Sequence, residues 1–338
     1  MSVSKVALGL SLAGIRGDAA TLAAVARRAE ESGYDSVWTN EAWGNDAFTP
    51  LGAIAAVTSR LGLGTAIAQI PARTPATTAM TVLTLQQLSG GRLTLGLGAS
   101  GPQVVEGWHG VPFRQPVRMT SEYLAVLRKA LAAKERLEFA GSIYTIPYAG
   151  ADATGQGRPL RSTMPPAPGT PILVAAMGPK NVAMAVAEAD GLLPYLWSPT
   201  RWSAAWGETL AKAPAGFQVA PTVLACVGDD LDKCRDQVRP RIALHIGGMG
   251  SKKTNFYAAL VSRYGYEAEA SHIQDLFLGG DRAGACAAVP DELVDDLALV
   301  GPLERIADQL AAWRDGPVTT MIIEPSDLSM LEPIATLW

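Results

Sequence analysis

The sequence predicts a closed (β/α)8 barrel, an α/β fold, formed by one domain over residues 1–338. Two observations carry that prediction. Short apolar runs alternate with helical patterns along nearly the whole chain, and there are eight such runs. Repeated βα units imply a parallel sheet with right-handed crossovers, and eight units in roughly 300 residues favour a barrel. The competing arrangement is an open, doubly wound sheet in two domains, but the central run lacks a Pro-rich linker to separate them.

Taken in order, Val6–Leu12 reads as the first strand and Ala19–Ser32 as an amphipathic helix closed by Gly33. Ser36–Asn40 is the second strand, with a helix over about Pro50–Ser59 after it. Leu61–Ile70 is the third strand, and its helix Thr74–Leu88 opens on a Thr-Pro cap and stops at Gly90-Gly91. Arg92–Ala99 is the fourth strand, followed by a helix over Thr120–Lys134. Phe139–Pro168 is rich in Gly, Pro, Ser and Thr and is expected as an insertion over the C-terminal face of the strands. The alternation resumes with Pro171–Met177, a helix from Pro179, Gly191–Leu196, a helix near Thr200–Lys212, and Phe217–Val227. A second, mostly helical insertion covers Ile242–Ala287, and Val318–Glu324 is the last strand.

Composition removes several function classes. A net charge of −4 gives no basic field for nucleic acid. Apolar runs all fall short of the roughly 18 residues that a membrane helix needs. The N-terminal MSVSKVALGLSLAG fits a buried strand better than a signal peptide, and three scattered cysteines suit a reducing interior, so a cytoplasmic location is expected. His109, His245 and His272 show no metal spacing and no nucleophilic triad order, so no metal site is expected. A redox cofactor doing the chemistry is the economical alternative.

Four stretches carry that cofactor hypothesis. Gly96-Leu-Gly-Ala-Ser-Gly101 matches the dinucleotide fingerprint G-x-G-x-x-G. Three βα units precede it, no acid ends the next strand, and Pro102 follows at once, so the dinucleotide reading fails on context. What remains is a run of small residues that clears space at a strand's C-terminal end, where barrels bind ligands. ILVAAMGPKNVAMA (Ile172–Ala185) brings small residues into a helix N-terminus at Pro179, the geometry of a phosphate site, with Lys180 and Asn181 able to add donors. GTAIAQIPAR (Gly64–Arg73), including Gln69, is either core or an apolar shelf for a flat ring. VWTNEAWGND (Val37–Asp46) places Glu41 between Trp38 and Trp43, either as an acceptor for a heteroaromatic ring or as the partner of an arginine such as Arg73. His109, in the loop after the fourth strand, is an acid–base candidate or a loop anchor.

Together with GQGRPL, YGYEAEASHIQDLF and ELVDDLALVGP, these stretches resemble the luciferase-like monooxygenase superfamily over almost the whole chain, in particular its branch using the deazaflavin coenzyme F420. The resemblance implies a barrel with the cofactor at the C-terminal mouth and a non-prolyl cis peptide at Ala66–Ile67 under the ring. It implies Ala99 and Ser100 beside the ribityl chain, Met177, Gly178, Lys180 and Asn181 around the phosphate, and Glu41 and Gln69 near the ring. Glu41, Trp43 and His109 become the catalytic candidates. Ala42 and Gly101 stand where sugar-oxidising relatives have a histidine and a glutamate. That departure implies a reductase of an activated C=C or C=N bond in a small molecule or modified peptide, with an FMN-dependent monooxygenase as the alternative. Family habit also implies a homodimer.

Overall fold

The computed structural model describes residues 6–15 and 17–338. Met1–Lys5, the start of the run read as a buried strand, lie outside the described residues. All eight expected strands form. Ala7–Ser11, Ser36–Thr39, Gly62–Thr65 with Ala68–Gln69, and Leu93–Gly98 make one half, each parallel to the next. Ile172–Val174, Gly191–Leu192, Gln218–Val227 (with a break at Ala220-Pro221) and Thr320–Pro325 make the other. Thr320–Pro325 returns to pair with Ala7–Ser11. The seventh strand carries the junction. Gln218–Val219 pairs with the sixth strand and Thr222–Val227 with the eighth. Among the described residues only an isolated bridge between Tyr195 and Thr222 spans the two flanks, so the barrel expected to be closed is not fully closed here, because the strand breaks at Ala220-Pro221.

Side-chain alternation sorts these strands into an outer core under the helices and a small inner cluster. Trp38, Leu173, Leu193, Ala220 and Ile322 fill the barrel interior, with Ala66, Ile67 and Ala175 packed against them. Trp38 fits because its neighbour on the third strand is Gly64, where a Cβ would lie 2.2 Å from the indole. Its N–H is satisfied by Ser36 Oγ at 2.8 Å, so burying the indole leaves no donor unpaired.

The helices start as the capping chemistry dictates. Asp18 caps Ala19–Glu31 through Thr21 N–H, and Thr74 caps Pro75–Ser89, which ends on Gly90 at φ +67°. The helix expected over Thr120–Lys134 instead runs Pro116–Ala132, with proline in its first turn. Pro102 likewise opens a short helix, Pro102–Gly107, so a proline there is no bar to a helix. The dinucleotide reading fails on its position in the chain and on the missing acid at the end of the next strand.

The two insertions take different places. Residues 139–168 leave from the C-terminal end of Pro116–Ala132 and rejoin at the start of the fifth strand, the opposite end from the ligand face. Their hairpin, Phe139–Ala140 with Thr145–Ile146, docks on that helix's flank: Glu122 accepts from the N–H groups of Ser142, Ile143 and Tyr144 at 2.8–3.1 Å. The segment thus leaves and rejoins at the far end, while its hairpin runs back along the helix toward the C-terminal face, where Tyr144 packs edge-on against Tyr123, whose hydroxyl meets Thr78 and Thr74. Residues 242–287 do sit at the mouth, as the helices Phe256–Arg263, Glu267–Leu278 and Arg282–Ala287. They hang from Leu231–Ala243, which Arg235 ties to Asp295 (2.6 Å) and Asp291 (3.1 Å) on helix Asp291–Leu297. A strand not expected from the sequence, Ala298–Gly301, then pairs alongside Thr222–Val227.

Candidate active site

The third strand breaks its ladder at Ala66–Ile67. Gly62–Thr65 pairs with the second strand and, at Leu63 and Gly64, with the fourth; Ala68–Gln69 pairs with Leu97–Gly98. Between them the Ala66–Ile67 peptide is cis. The ladder bonds that the interruption removes are replaced by one hydroxyl. Thr65 Oγ1 accepts from Gly96 N–H at 2.8 Å and donates to Gly96 O at 2.7 Å. Only glycine fits at position 96, since a Cβ would lie 1.8 Å from the Thr65 carbonyl. The first glycine of the fingerprint-like run thus serves the break in its neighbour strand.

Glu41 holds this break from the second strand. Its backbone N–H donates to Ile67 O at 3.1 Å. One carboxylate oxygen accepts from Gln69 N–H at 2.7 Å and from Arg73 Nη1 at 2.5 Å, and the other from Ala47 N–H at 3.1 Å. With the Glu41 side chain 7% exposed and Arg73 21% exposed, this is a largely buried, charge-assisted cluster. Of the two alternatives open from the sequence, the arginine partnership is the one formed. Gln69 completes the junction. Its amide donates to Glu41 O (3.1 Å) and Ala42 O (2.9 Å), which leaves Oε1 to accept from His109 Nε2 at 3.2 Å. That pattern assigns His109 the Nε2–H tautomer when neutral. The loops after strands two, three and four are therefore knotted together on Gln69, a role the sequence did not signal.

Around this junction lie the other candidates. Trp43 is 61% exposed on the rim. Ser100 takes φ +60°, turning the chain away from the fourth strand into Pro102–Gly107, with Ala99 before it. On the fifth strand's loop, Gly178 caps Pro179–Glu188 without any side-chain hydrogen bond, so the first-turn N–H groups of Lys180 and Asn181 keep no side-chain cap. Asn181 Oδ1 is buried and has no hydrogen-bond partner among the described residues. Met177 O is held by Trp206 Nε1 (3.0 Å) and Arg263 Nη2 (2.7 Å), which fixes the loop from the mouth insertion. An uncapped helix N-terminus, an adjacent lysine and a buried amide without a partner fit an anionic group such as a phosphate.

A cavity of about 470 Å³ opens beside the junction, between the loops after strands one and two, with Arg241 on its far wall. A larger depression of about 610 Å³, lined by Asp236, Arg239 and Cys286 among others, lies between helices Leu231–Ala243 and Arg282–Ala287, away from this junction. Among the described residues no group of His, Cys, Asp or Glu could hold a metal ion, and no helix is long and apolar enough to cross a membrane.

Residues 3–320 match the luciferase-like monooxygenase family. The chain belongs to that family. A Mycobacterium tuberculosis protein whose name assigns it provisionally to the coenzyme F420-dependent oxidoreductases is 40% identical over 319 residues, covering 91% of this chain and 92% of that one. The 5,10-methylenetetrahydromethanopterin reductase of Archaeoglobus fulgidus is 27% identical over 301 residues, covering 87% and 86%. The structure of the coenzyme F420-dependent tetrahydromethanopterin reductase from Methanopyrus kandleri superposes with a TM-score of 0.79 at 19% identity, over 98% of each chain. That likeness places this luciferase-like chain in the same barrel fold.

Proposed function

We propose that this chain is an F420-dependent oxidoreductase that reduces an activated C=C or C=N bond. The observation that carries the reading is the pairing of two features at one mouth. The interrupted third strand offers Ala66 and Ile67 as an apolar shelf, and the uncapped helix at Gly178 offers N–H groups and Asn181 to an anion. Ala66, Ile67 and Gln69 would hold the deazaflavin ring, Ala99 and Ser100 its ribityl chain, and Met177, Gly178, Lys180 and Asn181 its phosphate. When bound, the reduced deazaflavin supplies a hydride.

The chain's own residues orient and shield. Glu41 is a positioning residue, because both of its oxygens are committed to Arg73, Gln69 and Ala47. His109 carries an N–H that Gln69 holds, and Trp43 walls the rim. Ala42 and Gly101 supply no proton-handling group, which favours reduction with a proton drawn from solvent over alcohol oxidation. The test is equilibrium titration of the unloaded chain with F420 and with FMN. Tighter binding of F420, with turnover that does not consume oxygen, supports the reading; tighter FMN binding with oxygen-dependent turnover overturns it.

The dimer reading rests on helix Pro75–Ser89. Met80 (63% exposed), Thr84 and Leu88 (61% exposed) recur at every fourth position, one apolar-edged stripe on a helix face turned from the barrel. A second copy of the chain is the partner we assign to it. Cys226 and Cys234 are buried and all three cysteines are free, which fits a reducing, cytoplasmic setting.

A further inference from the structure

The cavity between the first two strand-end loops has a chemistry of its own. Leu12, Ile15, Leu22, Trp43 and Pro50 give it apolar walls. Two of its side chains keep uncommitted donors. Asn40, two residues beyond the inward-facing Trp38, is exposed and makes no side-chain hydrogen bond among the described residues. Arg241 directs Nε (3.1 Å) and Nη2 at one oxygen of Glu324, leaving Nη1 without a protein partner among the described residues. Its side chain is 41% exposed, toward the cavity it lines.

The charges around that guanidinium decide what it can take. Glu324, two residues above the interior Ile322, already balances Arg241, and Asp46 stands on the cavity rim with Arg73 4.0 Å away. A carboxylate or phosphate would meet a balanced arginine and an acid. A neutral, dipolar oxygen would meet two donors and no repulsion. The donor is held firmly in place. Leu244–Gly248 widens into a π-turn directly after Arg241's helix. His245 Nδ1 donates to Arg241 O at 2.7 Å, and Asn255 satisfies His245 O (3.1 Å) and Ile246 O (2.7 Å). The His245 ring is wedged between Tyr195 and Tyr257, at 4.5 and 4.8 Å between centroids.

We infer that this cavity is the substrate pocket for compact, largely apolar carbonyl compounds, with the uncharged carbonyl oxygen held by Arg241 Nη1 and the Asn40 amide. It deepens the proposed function and rests on that reading: the activated double bond is then one conjugated to the held carbonyl, as in an unsaturated ketone, lactone or amide.

The test is binding of acetophenone, benzoate and ethylbenzene to the unloaded full-length chain, followed by ligand-observed NMR. Acetophenone is expected to bind roughly tenfold more tightly than either of the others, since a site built to hydrogen-bond an oxygen rejects the analogue lacking it and a paired arginine gives a carboxylate little. Asn40→Ala is expected to weaken acetophenone about fivefold, as is Arg241→Gln made together with Glu324→Gln, which leaves no unpaired charge if the single variant fails to fold. Equal binding of all three ligands, preference for benzoate, no binding, or unchanged binding in both variants overturns the assignment. F420 affinity, measured separately by fluorescence on the same variants, is expected to stay within about twofold, since neither side chain is assigned to the cofactor. Failure of F420 to bind the wild type therefore counts against the cofactor reading and leaves the carbonyl result to stand by itself.

Discussion

Replacing Glu41 by glutamine separates the two roles a carboxylate at this position can have. The carboxylate accepts from Arg73 at 2.5 Å, Gln69 N–H at 2.7 Å and Ala47 N–H at 3.1 Å. A glutamine keeps one acceptor oxygen, turns an NH2 toward at least one of those donors and removes the charge opposite Arg73. Hydrogen bonds to an ionised group are worth about 1.5–3 kcal/mol each, and breaking a fully buried pair costs about 3–5 kcal/mol. Arg73 retains 21% exposure, so water recovers part of that loss. The expected destabilisation is therefore about 2–3 kcal/mol, read as a lower urea midpoint. Because Glu41 N–H and Gln69 bracket the Ala66–Ile67 shelf, F420 affinity measured by fluorescence is expected to fall about tenfold in the same variant. A Glu41→Gln protein with unchanged midpoint and F420 affinity but no turnover refutes the positioning role and makes Glu41 a proton-handling group.

Three further outcomes follow from the same geometry. Gly96→Ala drives a Cβ onto the Thr65 carbonyl, 1.8 Å away, and is expected to cost about 3 kcal/mol or more in thermal and urea unfolding; a variant as stable as wild type contradicts the close approach. Burial lowers the His245 pKa from 6.5 to about 4. The unfolded chain therefore takes up a proton that the folded chain refuses, and stability falls as pH drops through that window. Wild type should lose about 3 kcal/mol more than His245→Phe between pH 7 and pH 4, and parallel pH profiles for the two proteins count against it. Leu88→Asp puts a charge in the exposed stripe of Pro75–Ser89 and is expected to shift sedimentation from dimer toward monomer, whereas an unchanged profile removes this face from the interface.

The eight strands were legible because each is a short apolar run, and strands buried on both faces of a parallel sheet read as near-continuous apolar segments without tertiary information. Ala298–Gly301 was not, because ALVG runs on directly from helix Asp291–Leu297 with no turn residue between them. The insertion at 139–168 was recognised from composition, but its path along the flank of Pro116–Ala132 was not, because that path depends on Glu122 meeting three N–H groups some twenty residues away. At the site, the small residues after strands four and five show their purpose in sequence, since clearing space is a property of the residues themselves. Gln69 and Arg241 do not. One gains its role from three loops converging on its amide, and the other from standing opposite Glu324, a partner 83 residues away in sequence. Glu41 fell between these cases: its place at a strand end was readable, but the choice between ligand and Arg73 was made by the fold.

A crystal structure of the chain with F420 bound tests the central claim most directly. In that complex the deazaflavin ring is expected against Ala66 and Ile67 and the phosphate on the N–H groups of Lys180 and Asn181, with the Asn181 amide gaining a partner. A cofactor phosphate bound away from Gly178, or a ring that does not touch the Ala66–Ile67 shelf, contradicts that claim.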